Sequence, residues 1–145
     1  MRALVQRVCQ ARVLVDGVVV GAIEQGLLVF VCAMDEETPD VKAWANRLCN
    51  LRLFADTEGR MNLSAKAVGG SLLLVPQFTL SADMNKGLRP SFGRASSPTL
   101  AAQQINQLAE ACRAQGINVA CGMFGANMAV ELTNDGPVTL FIDKP

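Results

Sequence analysis

The chain has 145 residues, of which 50% are hydrophobic and 18% charged, and its formal net charge is +0. Such a length buries a core without disulfide staples, and such a composition excludes global disorder. The balanced charge argues against a surface that wraps long duplex nucleic acid, while leaving room for a local contact with one RNA end.

Histidine is absent. Any chemistry must therefore run on backbone amides, hydroxyls, carboxylates, thiols or a group of the substrate. The cysteines are Cys9, Cys32, Cys49, Cys112 and Cys121, an odd number with no C-x-x-C pair and mostly apolar neighbours. They read as reduced, buried thiols of a cytoplasmic protein. A cysteine nucleophile needs a base such as histidine, and no metal or cofactor is expected. Arg2 and Arg7 flank only a short apolar stretch, so no signal segment is read. No apolar run reaches the ~18 residues of a membrane span.

In chain order, residues 3–8 alternate loosely as a strand. Arg12–Val15 and Val18–Val20 flank Asp16-Gly17, a hairpin signal because both residues tolerate positive φ. Gly26 opens the unbroken apolar run Leu27–Ala33, a strand covered on both faces. Thr38 as N-cap, Pro39 at the first helical position and Asp40 at the positive end of the dipole predict a helix. Its inward face carries Val41, Trp44, Ala45, Leu48 and Cys49. Leu51–Phe54 is a short strand, and Asp56-Thr57-Glu58-Gly59 is a turn. Ser71–Val75 is a strand that delivers the chain to Gln77. Residues 81–98 read as an extended loop. Ser97-Pro98 starts a second helix with Ala101, Ile105, Leu108, Ala109 and Cys112 inward and Gly116 as its stop. Residues 128–132 and 138–142 are the last strands. Many strands and two helices, segregated rather than alternating, predict one α+β domain over residues 1–145. Its sheet is curved, barrel-like and mostly antiparallel.

Two polar islands adjoin these strands. Pro76-Gln77-Phe78-Thr79-Leu80 ends an apolar strand. It reads either as plain strand-end polarity or as a run of amides able to stabilise an oxyanion. The Thr79 hydroxyl is a nucleophile only with a base nearby. Asn134-Asp135-Gly136-Pro137-Val138-Thr139 reads most simply as a hairpin turn. The alternative is a rigid cis Gly-Pro fixture, against a background of roughly 5–6% cis among X–Pro bonds.

With the opening Leu4-Val5-Gln6-Arg7-Val8, Gly59-Arg60-Met61-Asn62-Leu63 and the loop Gly87-Leu88-Arg89-Pro90-Ser91-Phe92, these islands make an ordered set running from end to end. The chain thereby resembles the D-aminoacyl-tRNA deacylases, also called D-tyrosyl-tRNA deacylases. The resemblance implies a homodimer that hydrolyses the ester joining a D-amino acid to the 3′ end of tRNA. It implies that Gly136-Pro137 is cis and enters the partner's active site to reject L side chains. Asn134 belongs to the same substrate-binding segment, and Arg7 holds that segment in place. Gln77, Phe78 and Thr79 line the scissile ester, and Met128 packs against the terminal adenine. One departure is Pro76, where many members carry serine.

For a chain without imidazole, the expected mechanism uses amides around Phe78 and Thr79 to polarise the carbonyl. The substrate's 2′-hydroxyl assists the attacking water. Glycine escapes a steric filter against side chains, so activity on glycyl-tRNA is expected, including glycine mischarged on tRNA(Ala). Lys86 and Arg89, with Arg94, are candidate contacts to tRNA phosphates, or else a solvated loop. No DNA or membrane partner is expected. The competing readings are a sister-type tRNA deacylase acting on a mischarged L-amino acid, which Pro76 alone supports, and a non-catalytic dimer that binds the tRNA end.

Overall fold

The computed structural model describes residues 1–35, 38–85 and 87–145. Its strands are β1 (Arg2–Val15), β2 (Val18–Ile23), β3 (Gly26–Cys32), β4 (Arg52–Ala55), β5 (Met61–Ser64), β6 (Ser71–Pro76), β7 (Asn118–Cys121) and β8 (Ala129–Ile142). The helices are α1 (Val41–Asn50) and α2 (Pro98–Arg113), and a 3₁₀ turn covers Phe78–Ser81. The main sheet runs β2-β1-β3-β6-β7, with β8 added to β1.

The expected α+β class holds, and most pairings are antiparallel. The exceptions are β3–β6 and β6–β7, which are parallel. These parallel neighbours need crossovers, and the crossovers carry α1, the β4–β5 hairpin and α2. The sheet curls until its outer strands meet. A Cβ added to Gly21 on β2 would lie 2.4 Å from the Cys121 carbonyl oxygen on β7. The result is a nearly closed barrel.

Alternation along β3 divides the interior. Leu27, Val29 and Val31 face a cluster with Trp44 and Leu48 of α1 and Leu108 and Cys112 of α2. Leu28 instead joins Val8, Val13, Leu73 and Val75 in a second cluster. The strand is thus covered on both faces, and Trp44 is a core anchor at 2% exposure.

Three local expectations are revised. Residues 3–8 and 12–15 belong to one long strand, because β8 pairs along nearly all of it. The cap of α1 is Asp40 rather than Thr38, so Pro39 lies outside the helix. The Asp40 carboxylate accepts from the Ala43 amide at 3.0 Å, filling an orphan donor of the first turn. Residues 134–139 are not a hairpin turn. Both halves of β8 continue along β1, and the register shifts between Gln6↔Thr139 and Val8↔Asn134. The island is therefore a bulge in one strand. The Asp16-Gly17 hairpin is present, with φ of 50° and 78°, and Val15 pairs Val18.

Candidate active site

Strand β6 runs parallel to β3 as far as Val31↔Pro76, and the Gln77 amide still donates to the Val31 carbonyl at 2.8 Å. The chain then turns. The Leu80 amide donates to the Gln77 carbonyl at 3.2 Å, and the Ala82 amide to the Thr79 carbonyl at 3.0 Å. The Phe78 carbonyl accepts from Ser81 Oγ at 2.8 Å and from Cys32 Sγ at 3.5 Å. Among the described residues, no protein acceptor meets the amides of Phe78 and Thr79. Two successive backbone donors are thus left unclaimed at the end of a buried strand.

The turn borders a pocket of about 540 Å³. Pro76, Gln77 and Phe78 form one wall, and Phe124 to Met128 form another. Cys32, Ala101 and Ile105 line it as well. Phe78 is 60% exposed, and its ring meets Phe92 edge-on at 5.2 Å and 76°. Asp83 and Ser91 close the intervening loop with reciprocal backbone bonds of 2.8 and 3.0 Å. Gly122 gives the pocket its room: a Cβ there would lie 2.8 Å from Met128 Sδ.

Acid–base equipment is sparse here. The Thr79 hydroxyl accepts from the Gln77 side-chain amide, which is no base. Burial pushes the Cys32 thiol up from its ordinary value, outweighing the nearby N-terminal amine, Arg2 and Ser81. Deeper in the core, the Cys112 thiol is raised by its hydrogen bond to Cys49 and by burial. All five cysteines are free; Cys9 is exposed and Cys121 half-buried. No group of three or more Cys, Asp or Glu among the described residues converges as metal ligands. No helix among them is long and apolar enough to cross a membrane.

The remaining candidates form a separate group. Arg7 Nε lies 2.8 Å from Asp135 Oδ2, a charge contact off hydrogen-bond alignment. Arg7 Nη1 donates to the Leu53 carbonyl, and the guanidinium sits 5.9 Å from the centre of the Phe54 ring. Asn134 Nδ2 donates to the carbonyls of Arg7 (3.0 Å) and Val138 (3.1 Å). Between these braces, Gly136 and Pro137 are exposed and joined by a cis peptide. None of Arg7, Asn134, Gly136 or Pro137 lines the pocket of its own chain. Gln77, Phe78 and Met128 do, and Thr79 adjoins them. Arg89 and Arg94 are exposed and make no ion pair among the described residues. Lys86 lies outside those residues.

The sequence reading missed Asp135 as the partner of Arg7, Phe92 as the partner of Phe78, and the Phe124–Asn127 wall. A polar residue beside Gly-Pro and an aromatic soon after the Phe78 island were the available signals. Ser81 and Cys32 gave none, since their role depends on β3 and the turn coming together.

A family model described as D-Tyr-tRNA(Tyr) deacylase matches residues 4–143. The chain belongs to the D-Tyr-tRNA(Tyr) deacylase family. Among curated relatives, a D-aminoacyl-tRNA deacylase of Pseudomonas putida strain F1 is 52% identical over 143 residues. The alignment covers 98% of this chain and 99% of that one. A D-aminoacyl-tRNA deacylase of Chloroflexus aurantiacus is 52% identical over 145 residues, covering 99% and 91%. Among solved structures, one titled c-Myc DNA Unwinding Element Binding Protein superposes with a TM-score of 0.92 at 34% identity, covering 100% and 99%. Another, titled as a probable eukaryotic D-amino acid tRNA deacylase, has a TM-score of 0.85 at 17% identity over 97% of each chain. The latter shows the shared fold of this deacylase family.

Proposed function

We propose that the chain hydrolyses the ester bond of D-aminoacyl-tRNA, releasing the amino acid and tRNA. The observation that carries the mechanism is the pair of unclaimed amides at Phe78 and Thr79, beside a pocket that Met128 helps to line. An aminoacyl ester is an activated bond, and positioned amides supply much of what its hydrolysis needs. Losing one oxyanion donor costs about 3 kcal/mol of barrier stabilisation. Met128 packs against the terminal adenine. Water attacks the carbonyl with help from the neighbouring 2′-hydroxyl, because among the described residues Thr79 has no base bonded to its hydroxyl. Activity on tRNA ending in 2′-deoxyadenosine tests this step. A large loss of turnover is expected, and full turnover would rule out ribose assistance.

Handedness comes from Gly136-Pro137. A main-chain wall rejects every L side chain whatever its chemistry, and it passes glycine. Support comes from the braces that Arg7 and Asn134 place on either side of the segment. Gly136-Pro137 stands outside its own pocket, so the wall is lent by a second copy. The outer edge of β8 carries exposed Leu132, Leu140 and Phe141, an apolar strand edge of the kind proteins cover. Cleavage of glycyl-tRNA, including glycine mischarged on tRNA(Ala), follows from the same wall.

Exposed Arg89 contacts backbone phosphate near the acceptor end, and Lys86 is assigned the same role from its place in the sequence. The name of the solved relative at 34% identity refers to a DNA element. The net charge of +0 here fits a short RNA end better than an extended duplex. Pro76 in the pocket wall favours a second reading, action on a mischarged L-aminoacyl-tRNA. Parallel assays on D- and L-aminoacyl-tRNA separate the two.

A further inference from the structure

The unclaimed amide of Thr79 belongs to a peptide plane whose opposite end is held. The Phe78–Thr79 peptide is trans, since among the described residues only Gly136-Pro137 is cis. In a trans plane the carbonyl and the following N–H point in opposite directions. The Phe78 carbonyl accepts from Ser81 Oγ at 2.8 Å and from Cys32 Sγ at 3.5 Å. Both donors are rooted in the core, each 1% exposed. The carbonyl is therefore drawn inward, and the Thr79 N–H is turned away from the core. The hydroxyl is the stronger donor, because a thiol donates weakly.

We infer that Ser81 is a positioning residue for the deacylation: its hydroxyl holds the Phe78 carbonyl so that the Thr79 amide stays aimed at the developing oxyanion. The inference rests on the proposed oxyanion role of that amide. Ser81 touches neither substrate nor reacting atoms. Its effect falls on kcat, because a misaimed donor loses the transition state more than the bound ester. Without that hydroxyl the turn keeps the Arg2 bond to the Leu80 carbonyl (3.1 Å) and only the weaker Cys32 contact on the Phe78 carbonyl itself, and small misplacements of a donor reduce rate steeply.

The test compares three single variants and one combination with the parent. In Ser81→Ala the donor is gone. In Ser81→Cys a weaker donor remains. In the third, Thr79 is replaced by its α-hydroxy analogue, which turns the amide into an ester and removes only the N–H. Ser81→Ala is expected to lower kcat about tenfold. Its affinity for a non-hydrolysable 3′-amide analogue of D-aminoacyl-adenosine should stay within twofold, and Ser81→Cys should lie between it and the parent. The backbone ester is expected to lose on the order of 100-fold. Adding Ser81→Ala to it should cost nothing more, because the N–H being aimed is already absent. Full activity of the backbone ester would overturn the amide reading, and the Ser81 role with it. Loss in the ester with unchanged kcat in Ser81→Ala would overturn the Ser81 role alone. A further tenfold loss on combining the two, or an equal loss of analogue affinity, would mark general loosening and likewise overturn it.

Discussion

Thr79 is half-buried and carries a hydroxyl next to an unclaimed amide, and the two make different demands on a substitution. Among the described residues the hydroxyl meets only the Gln77 side-chain amide, so Thr79→Val should keep kcat within about tenfold of the parent. Single-turnover deacylation measures this, and complete loss with a normal Tm would restore a threonine nucleophile. Arg7 works through geometry more than charge. It meets the Asp135 carboxylate, the Leu53 carbonyl and the Phe54 ring at once. A lysine has no planar fork to do this, so Arg7→Lys and Arg7→Ala should both raise the relative rate on L-aminoacyl-tRNA, by about tenfold. Gly122→Ala forces Met128, a pocket-lining residue, to shift and should raise KM several-fold with little change in kcat. Cys32 titrates against stability rather than for catalysis. Burial raises its thiol above the ordinary 9.0, so the folded chain holds this proton to higher pH than the unfolded chain. Its contribution is full below about pH 9 and is lost as pH rises through the folded value. Urea midpoints should fall above pH 9 in the parent and less in Cys32→Ala.

At the scale of elements, the sharpest packing constraint is where β3 meets β6. A Cβ on Gly26 would lie 1.9 Å from the Ser71 carbonyl oxygen, which is backbone and cannot swing aside. Gly26→Ala should therefore destabilise the fold by about 3 kcal/mol, as overpacking does. Urea melts measure this, and an unchanged midpoint would contradict the close approach. Much of this level was legible in the sequence. The run Leu27–Ala33 announced a doubly covered strand, and Ala101, Ile105, Leu108 and Cys112 announced the inner face of α2. The failures have a shared cause. Asn134-Asp135-Gly136-Pro137 has the local chemistry of a turn. Only β1, long enough to pair on both sides of it, makes the segment a bulge. In the same way Asp40 outcompetes Thr38 because its carboxylate reaches the Ala43 amide, whereas the sequence pattern pointed to Thr38, two residues earlier. For the site, the motif residues were visible, but their separation into a pocket group and a braced Gly-Pro group follows from the fold. So does the clamp on the Phe78 carbonyl, which joins β3 to a turn 46 residues away.

For the whole molecule, that separation is the main consequence. The pocket and the Gly136-Pro137 segment occupy different places on one chain, so the proposed handedness filter requires another copy. The central claim is that the filter acts across subunits, and mixing two defective variants tests it most directly. Ala126→Trp fills the pocket but keeps the braced segment. Arg7→Ala keeps the pocket but loosens the segment. Each is unfolded, refolded with an excess of the other, and assayed for its D-to-L rate ratio. The account predicts that mixing raises the ratio well above that of Arg7→Ala alone, because its open pockets then face intact segments. A ratio that stays at the Arg7→Ala value in verified mixed dimers would contradict it.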